Sequence, residues 1–378
     1  MKRVDFPAGS IAQLALAGVA VAMLVRPKLF SGRPPLPRLP MPRPPMPRPP
    51  MPRLQMSKLP MPRLPALPAA FRSQRFNGFA RMPKLGMKVA HLVKRNVPSS
   101  RLARSTLPRT AGRQLNASAA ILATSVLADS AVEHYRGSFE NRAMYTPLVV
   151  AALTVGASLF GTTDPRAKSH TGRDGIYATA AAAGAAGLAF HVYNILKRPG
   201  GLSWQNLFYA APIGAPAALT LAGLLGRGAE RVRETPLRKR ATVLGLPAGR
   251  ALAAVAATGL VGTVGEAGLL HFRGAYQNPA MFIPVTLPPV AAVFLGISAV
   301  RPNRFITTTA RWWLRLTALL GFAGVGFHAY GISRAMGGWR NWSQNVVDGP
   351  PLPAPPSFTG LALAGLAALS LIEADIND

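Results

Sequence analysis

From Gln114 onward, apolar residues gather in long blocks, approximately 117–133, 147–161, 176–196, 207–226, 249–270, 280–300, 312–332 and 357–373, separated by polar stretches. A helix needs ~20 apolar residues to cross a bilayer, and the second and last blocks lie near the ~17 lower bound. The pattern predicts an all-α, polytopic integral membrane protein with eight spans. Alanine and glycine are abundant in every block, which lets helix backbones approach closely in lipid; Gly259, Gly262, Gly265 and Gly268 form one evenly spaced run. That run has no preceding strand and no Lys-Ser/Thr, so it is neither a dinucleotide loop nor a phosphate loop.

A further apolar run, Ala8 to Val25, follows Lys2 and Arg3 and contains Ala20-Val21-Ala22, which imitates a secretory signal with its cleavage site. Residues 26–113 then hold twenty Lys or Arg and no Asp or Glu. Positive-inside bias keeps such a segment in the cytoplasm, so residues 1–25 are expected to form an uncleaved anchor, with an interfacial helix as the alternative. The basic segment carries a pentapeptide repeat resembling MPRPP, with Arg33, Arg38, Arg43, Arg48, Arg53, Lys58 and Arg63 at every fifth position. Dense proline removes amide donors and favours extended polyproline II, giving a semi-rigid cationic spacer. Its expected partner is anionic lipid headgroups, at about 1 kcal/mol per basic side chain near the surface. Nucleic acid is less favoured, because no recognisable reading fold is present.

Composition agrees with a membrane chain. Of 378 residues, 49% are hydrophobic and only 15% charged, and the formal charge of +30 lies largely in the tail. The absence of cysteine excludes a disulfide framework, a thiolate zinc site, an iron–sulfur cluster and covalent c-type haem attachment. Loops after the second, fourth and sixth spans carry 14 Lys or Arg against 7 in the loops after the odd spans. The tail and C-terminus are therefore expected in the cytoplasm, and a bacterial inner membrane suits the composition.

Self-comparison supplies the strongest signal. His134-Tyr135-Arg136-Gly137 matches His271-Phe272-Arg273-Gly274, Asn141 matches Asn278, and Phe190-His191-Val192-Tyr193 matches Phe327-His328-Ala329-Tyr330, all at an offset of 137 residues. From Gln205-Asn206 and Gln344-Asn345 onward the offset becomes 139. The expected architecture is thus two parallel four-helix repeats, residues 114–228 and 249–378, joined by a basic cytoplasmic linker at 229–248. An even number of spans per copy makes the repeats parallel rather than inverted.

Four histidines survive in both copies: His134, His191, His271 and His328. They are expected on one outer rim. Two neutral imidazoles from neighbouring helices are what a bis-histidine b-type haem requires, and Arg136 and Arg273 are placed to pair with its propionates. The same motif also reads as a capped turn, with His and Arg complementing a helix C-terminus and Pro147 and Pro284 opening the next helix. Asp129 and Glu266, also 137 apart, lie inward of their histidines as a candidate proton or ion site. No motif for hydrolytic or transfer chemistry is present. The functional expectation is an electron-transfer subunit binding haem b, working between quinone and an external redox partner. A small-solute or ion transporter and a non-catalytic membrane scaffold are the alternatives.

Overall fold

The computed structural model describes residues 101–376 except 167, 210–211, 236–240 and 244. The expected anchor and all of the basic tail up to residue 100 lie outside the described residues. Ten α-helices account for most of the described chain. They are α1 Arg101–Arg136, α2 Thr146–Thr163, α3 Thr171–Leu196, α4 Trp204–Tyr209, α5 Gly214–Glu234, α6 Ala248–Arg273, α7 Ile283–Val300, α8 Arg304–Arg334, α9 Trp342–Val347 and α10 Pro356–Ile376. A two-residue antiparallel pairing of Thr242–Val243 with Leu246–Pro247 precedes α6.

Local chemistry sets the ends. Pro147 and Pro284 sit in the first turns of α2 and α7, where an amide hydrogen would go unused. Asn303 caps α8, its side chain accepting from the Ile306 amide at 2.9 Å. Residues 101–113, expected in the basic tail, belong to α1.

Among the described residues seven helices are long and apolar enough to cross a membrane: α1, α2, α3, α6, α7, α8 and α10. The exception is the fourth expected span. Residues 207–226 are not one helix but parts of two, α4 and α5, with Pro212 between them. Helix α5 also runs on to Glu234, so Arg227, Glu230, Arg231 and Arg233 occupy its last turns.

Helices α1 and α10 are the most enclosed; α2, α3, α7 and α8 present most of their apolar surface outward, as lipid-facing helices do. The core is built mainly from α1, α5, α6 and α10 and is rich in small residues, including Ala123, Ala222, Ala256, Ala257, Ala364 and Ala367. Small side chains are what permit such packing where lipid supplies no hydrophobic drive between helices. Gly184 in α3 lies so close to α5 that a Cβ there would overlap the Thr220 backbone nitrogen, and Gly321 in α8 meets Thr359 of α10 in the corresponding way. The two contacts differ by 137 and 139 residues, the same offsets the sequence carries.

Candidate functional site

Each of the four duplicated histidines is tied to a following loop. Nδ1 of His134 lies 2.6 Å from the Met144 carbonyl oxygen, and Nδ1 of His271 lies 2.9 Å from that of Met281. Nδ1 of His191 is 2.5 Å from the Pro212 carbonyl, and Nδ1 of His328 is 2.7 Å from that of Pro351. A carbonyl oxygen only accepts, so in each ring Nδ1 must carry the proton. The neutral tautomer this selects leaves Nε2 with its lone pair free. Donation of the second ring N–H to a backbone carbonyl is also how metal-bound imidazoles are oriented.

The imidazoles gather by halves. His134 at the end of α1 and His191 late in α3 are close enough to interact electrostatically, as are His271 of α6 and His328 of α8.

The turns that follow α1 and α6 wrap back over these rings. Ser138 and Phe139 adopt φ of 53° and 48°, and Ala275 and Tyr276 adopt 54° and 47°, left-handed values that are uncommon outside glycine. The Phe139 and Tyr276 amides close the turns on the carbonyls of His134 and His271, each at 3.1 Å. Phe139 then stacks on Tyr145 at 4.5 Å and presents itself edge-on to His134, while Tyr276 stacks on Phe282 at 4.4 Å and approaches His271 in the same manner. Strained backbone held by ring stacking on both copies marks these turns as built features.

The two arginines occupy different settings. Arg136 pairs with Glu133 at 2.8 Å on the surface, whereas the Arg273 guanidinium stands 5.3 Å over the Tyr209 ring of α4. Both remain at the rim beside their histidines.

Asp129 and Glu266, which lie inward of their histidines, are within electrostatic reach of each other. The two carboxylates interact, and Glu266 also accepts from the Gly214 backbone N–H at the start of α5. One of these duplicated acids stands on α1 and the other on α6.

A second cluster, which no sequence motif marks, lies at the opposite end of the first half. The Arg173 guanidinium donates to Asp164 at 2.8 Å and to both carboxylate oxygens of Glu230 at 3.0 and 2.9 Å. Arg233 donates to the carbonyls of Asp164, at 3.0 Å, and Gly161. Tyr177 donates to Asn116. Arg173, Glu230 and Arg233 are each no more than 2% exposed. At offsets of 137 and 139 the second half places Ala310, Leu314, Leu369, Ile372 and Ala253 opposite Arg173, Tyr177, Glu230, Arg233 and Asn116. Their packing corresponds: Gly112 abuts Arg233 where Gly249 abuts Ile372, and Gly226 abuts Tyr177 where Gly365 abuts Leu314. The available signal was therefore a charged residue in one copy facing an apolar residue in the other.

Asp164 lies in the loop between α2 and α3. Burial pushes its carboxyl up, but the Arg166 backbone N–H at 3.0 Å, the Arg173 hydrogen bond and the charges of Arg173 and Arg233 together hold it below its ordinary value of 3.8. A depressed carboxylate stabilises the fold above the unfolded value and loses that contribution as pH falls through the folded one. Stability is therefore expected to decline below pH 3.8 in the native chain and to decline less in Asp164→Asn, as followed by thermal unfolding at stepped pH.

Comparison with protein-family models, curated proteins and solved structures gives no match. Function must be argued from the site. Among the described residues no group of three or more His, Asp or Glu is placed to hold a metal ion.

Proposed function

We propose that this multi-pass membrane protein is an electron-transfer subunit built from two parallel four-helix repeats, eight spans in all, each repeat holding one b-type haem. His134 and His191 would ligate one iron, and His271 and His328 the other. Bound there, the group supplies one-electron redox chemistry. The chain's own contribution is to fix four imidazole tautomers through backbone carbonyls, which leaves four Nε2 lone pairs in two pairs. That shared arrangement carries the proposal. The recurrence of helix ends, left-handed turns, ring stacks and glycine contacts at the sequence offset supports the duplication. Helix α5 is taken as the eighth span, its charged turns reaching the inner surface.

Arg136 and Arg273 lie at the rim where propionates would emerge, and Asp129 with Glu266 offers a proton-accepting pair. Quinone and an external redox partner complete the proposed path, in a bacterial inner membrane with the tail and C-terminus cytoplasmic. The test is haem extraction from the full chain purified from haem-replete cells. One haem b per half is expected, and a preparation containing neither haem nor iron overturns the proposal.

One observation favours a second reading. The electrostatic proximity of Asp129 on α1 and Glu266 on α6 suits the binding of a coupling ion by a transporter. Asp129→Asn and Glu266→Gln would then each abolish ion-driven uptake in proteoliposomes. Uptake that is absent from the native chain as well removes this alternative.

A further inference from the structure

The two halves differ in how α2 and α3, and their counterparts α7 and α8, close against each other. In the first half a cleft of about 320 Å³ opens between α2 and α3, lined by Val150, Leu153, Gly172, Gly175, Ile176 and Thr179. Its lining is almost wholly apolar. The second half carries Trp312, Trp313 and Leu316 opposite Gly175, Ile176 and Thr179, so bulky side chains stand where the first half keeps small ones. Both helices are membrane spans by length and composition, and Leu153 of α2, in the cleft wall, is more than half exposed. A groove with those walls, opening toward lipid, takes an acyl chain.

Its inner end is chemically distinct. Thr171 and Gly172, at the start of α3, follow the 164–170 loop, in which Arg166 and Lys168 are exposed. The acids nearby are already engaged: Asp164 is held by Arg173 at 2.8 Å and Asp174 by Arg227 at 3.2 Å. What remains facing the headgroup layer is cationic. Basic side chains at the level of phosphates, above an apolar slot in the bilayer, complement a lipid with a negative headgroup.

We infer that the α2–α3 groove of the first half is a binding site for one anionic phospholipid, its acyl chain lying along Leu153, Gly175 and Thr179 and its headgroup facing Arg166 and Lys168. The site does not depend on haem, and its failure would leave the proposed function untouched. It is distinct from any contact the basic tail makes with lipid, because it is set in the folded bundle.

The test is photo-crosslinking of the full chain in phosphatidylcholine vesicles. One set contains a trace of phosphatidylglycerol with a diazirine in its acyl chain, and the other a trace of the matching phosphatidylcholine. Peptide mapping is expected to place crosslinks at Leu153, Ile176 or Thr179, several-fold stronger with phosphatidylglycerol. Gly175→Trp, which copies Trp312 of the second half, should remove most of this labelling; Thr179→Leu, copying Leu316, should reduce it. Labelling at Val293 of α7 should persist in both and reports an intact bundle. Arg166→Gln with Lys168→Gln should bring the two lipids to equal labelling. Equal labelling of the native groove by both lipids, or unchanged labelling in a Gly175→Trp chain that still labels at Val293, overturns the inference.

Discussion

Glu230→Ala is expected to destabilise the first half by about 3–5 kcal/mol, the range for breaking a buried ion pair by removing one partner. Glu230 takes both donated bonds of one edge of Arg173, and neither side chain reaches water. Its loss leaves a buried guanidinium with only Asp164 for a partner, and also deprives the His170 amide of its acceptor, 2.8 Å away. The second half shows how the same position is filled without charge. Replacing the cluster together, as Asn116→Ala, Arg173→Ala, Tyr177→Leu, Glu230→Leu and Arg233→Ile, with Asp164→Asn to remove the charge left over, should therefore return stability to within about 1 kcal/mol of the native chain. Unfolding of the purified chain by heat or denaturing detergent checks both. A Glu230→Ala chain as stable as its parent would mean that the network is not holding α3 against α5.

The helices themselves were largely legible. Block lengths and the prolines at 147 and 284 mark α2 and α7, and the offset of 137 survives in the structure at the level of single turns. What sequence could not show follows from tertiary contact. Apolar character continues through Phe208 and Ile213, so hydropathy reads one span where Pro212 separates two helices and lends its carbonyl to His191. The basic residues of 101–113 look like the tail that precedes them, yet they continue α1. Asp129 and Glu266 share an offset, but only the packing of the helices sets the Asp129 charge within reach of Glu266. Duplication marks the histidines in the sequence; the Arg173 cluster has no charged copy in the second half, so no repeat marks it.

The second large effect concerns the imidazoles. His191→Ala is expected to halve the haem content of the purified chain and His328→Ala to do the same, because each removes one ligand of one pair. Combining substitutions then separates the arrangements. With pairing inside each half, His134→Ala together with His191→Ala leaves half the haem, while His134→Ala together with His271→Ala leaves none. Pairing across the halves, His134 with His271 and His191 with His328, would exchange those outcomes. Stability of the haem-free chain should change little in the single variants, since each loses one hydrogen bond to a loop, worth about 1 kcal/mol. Extracted haem per chain, beside a melting curve, reads both quantities.

The most direct measurement is the low-temperature electron paramagnetic resonance spectrum of the oxidised full chain in its membrane. Two imidazoles on one iron impose a strong ligand field, so low-spin ferric haem is the expected signal, falling to about half its intensity in His191→Ala. A native chain giving no ferric haem signal, or only a high-spin one, would contradict paired imidazole ligation at this rim.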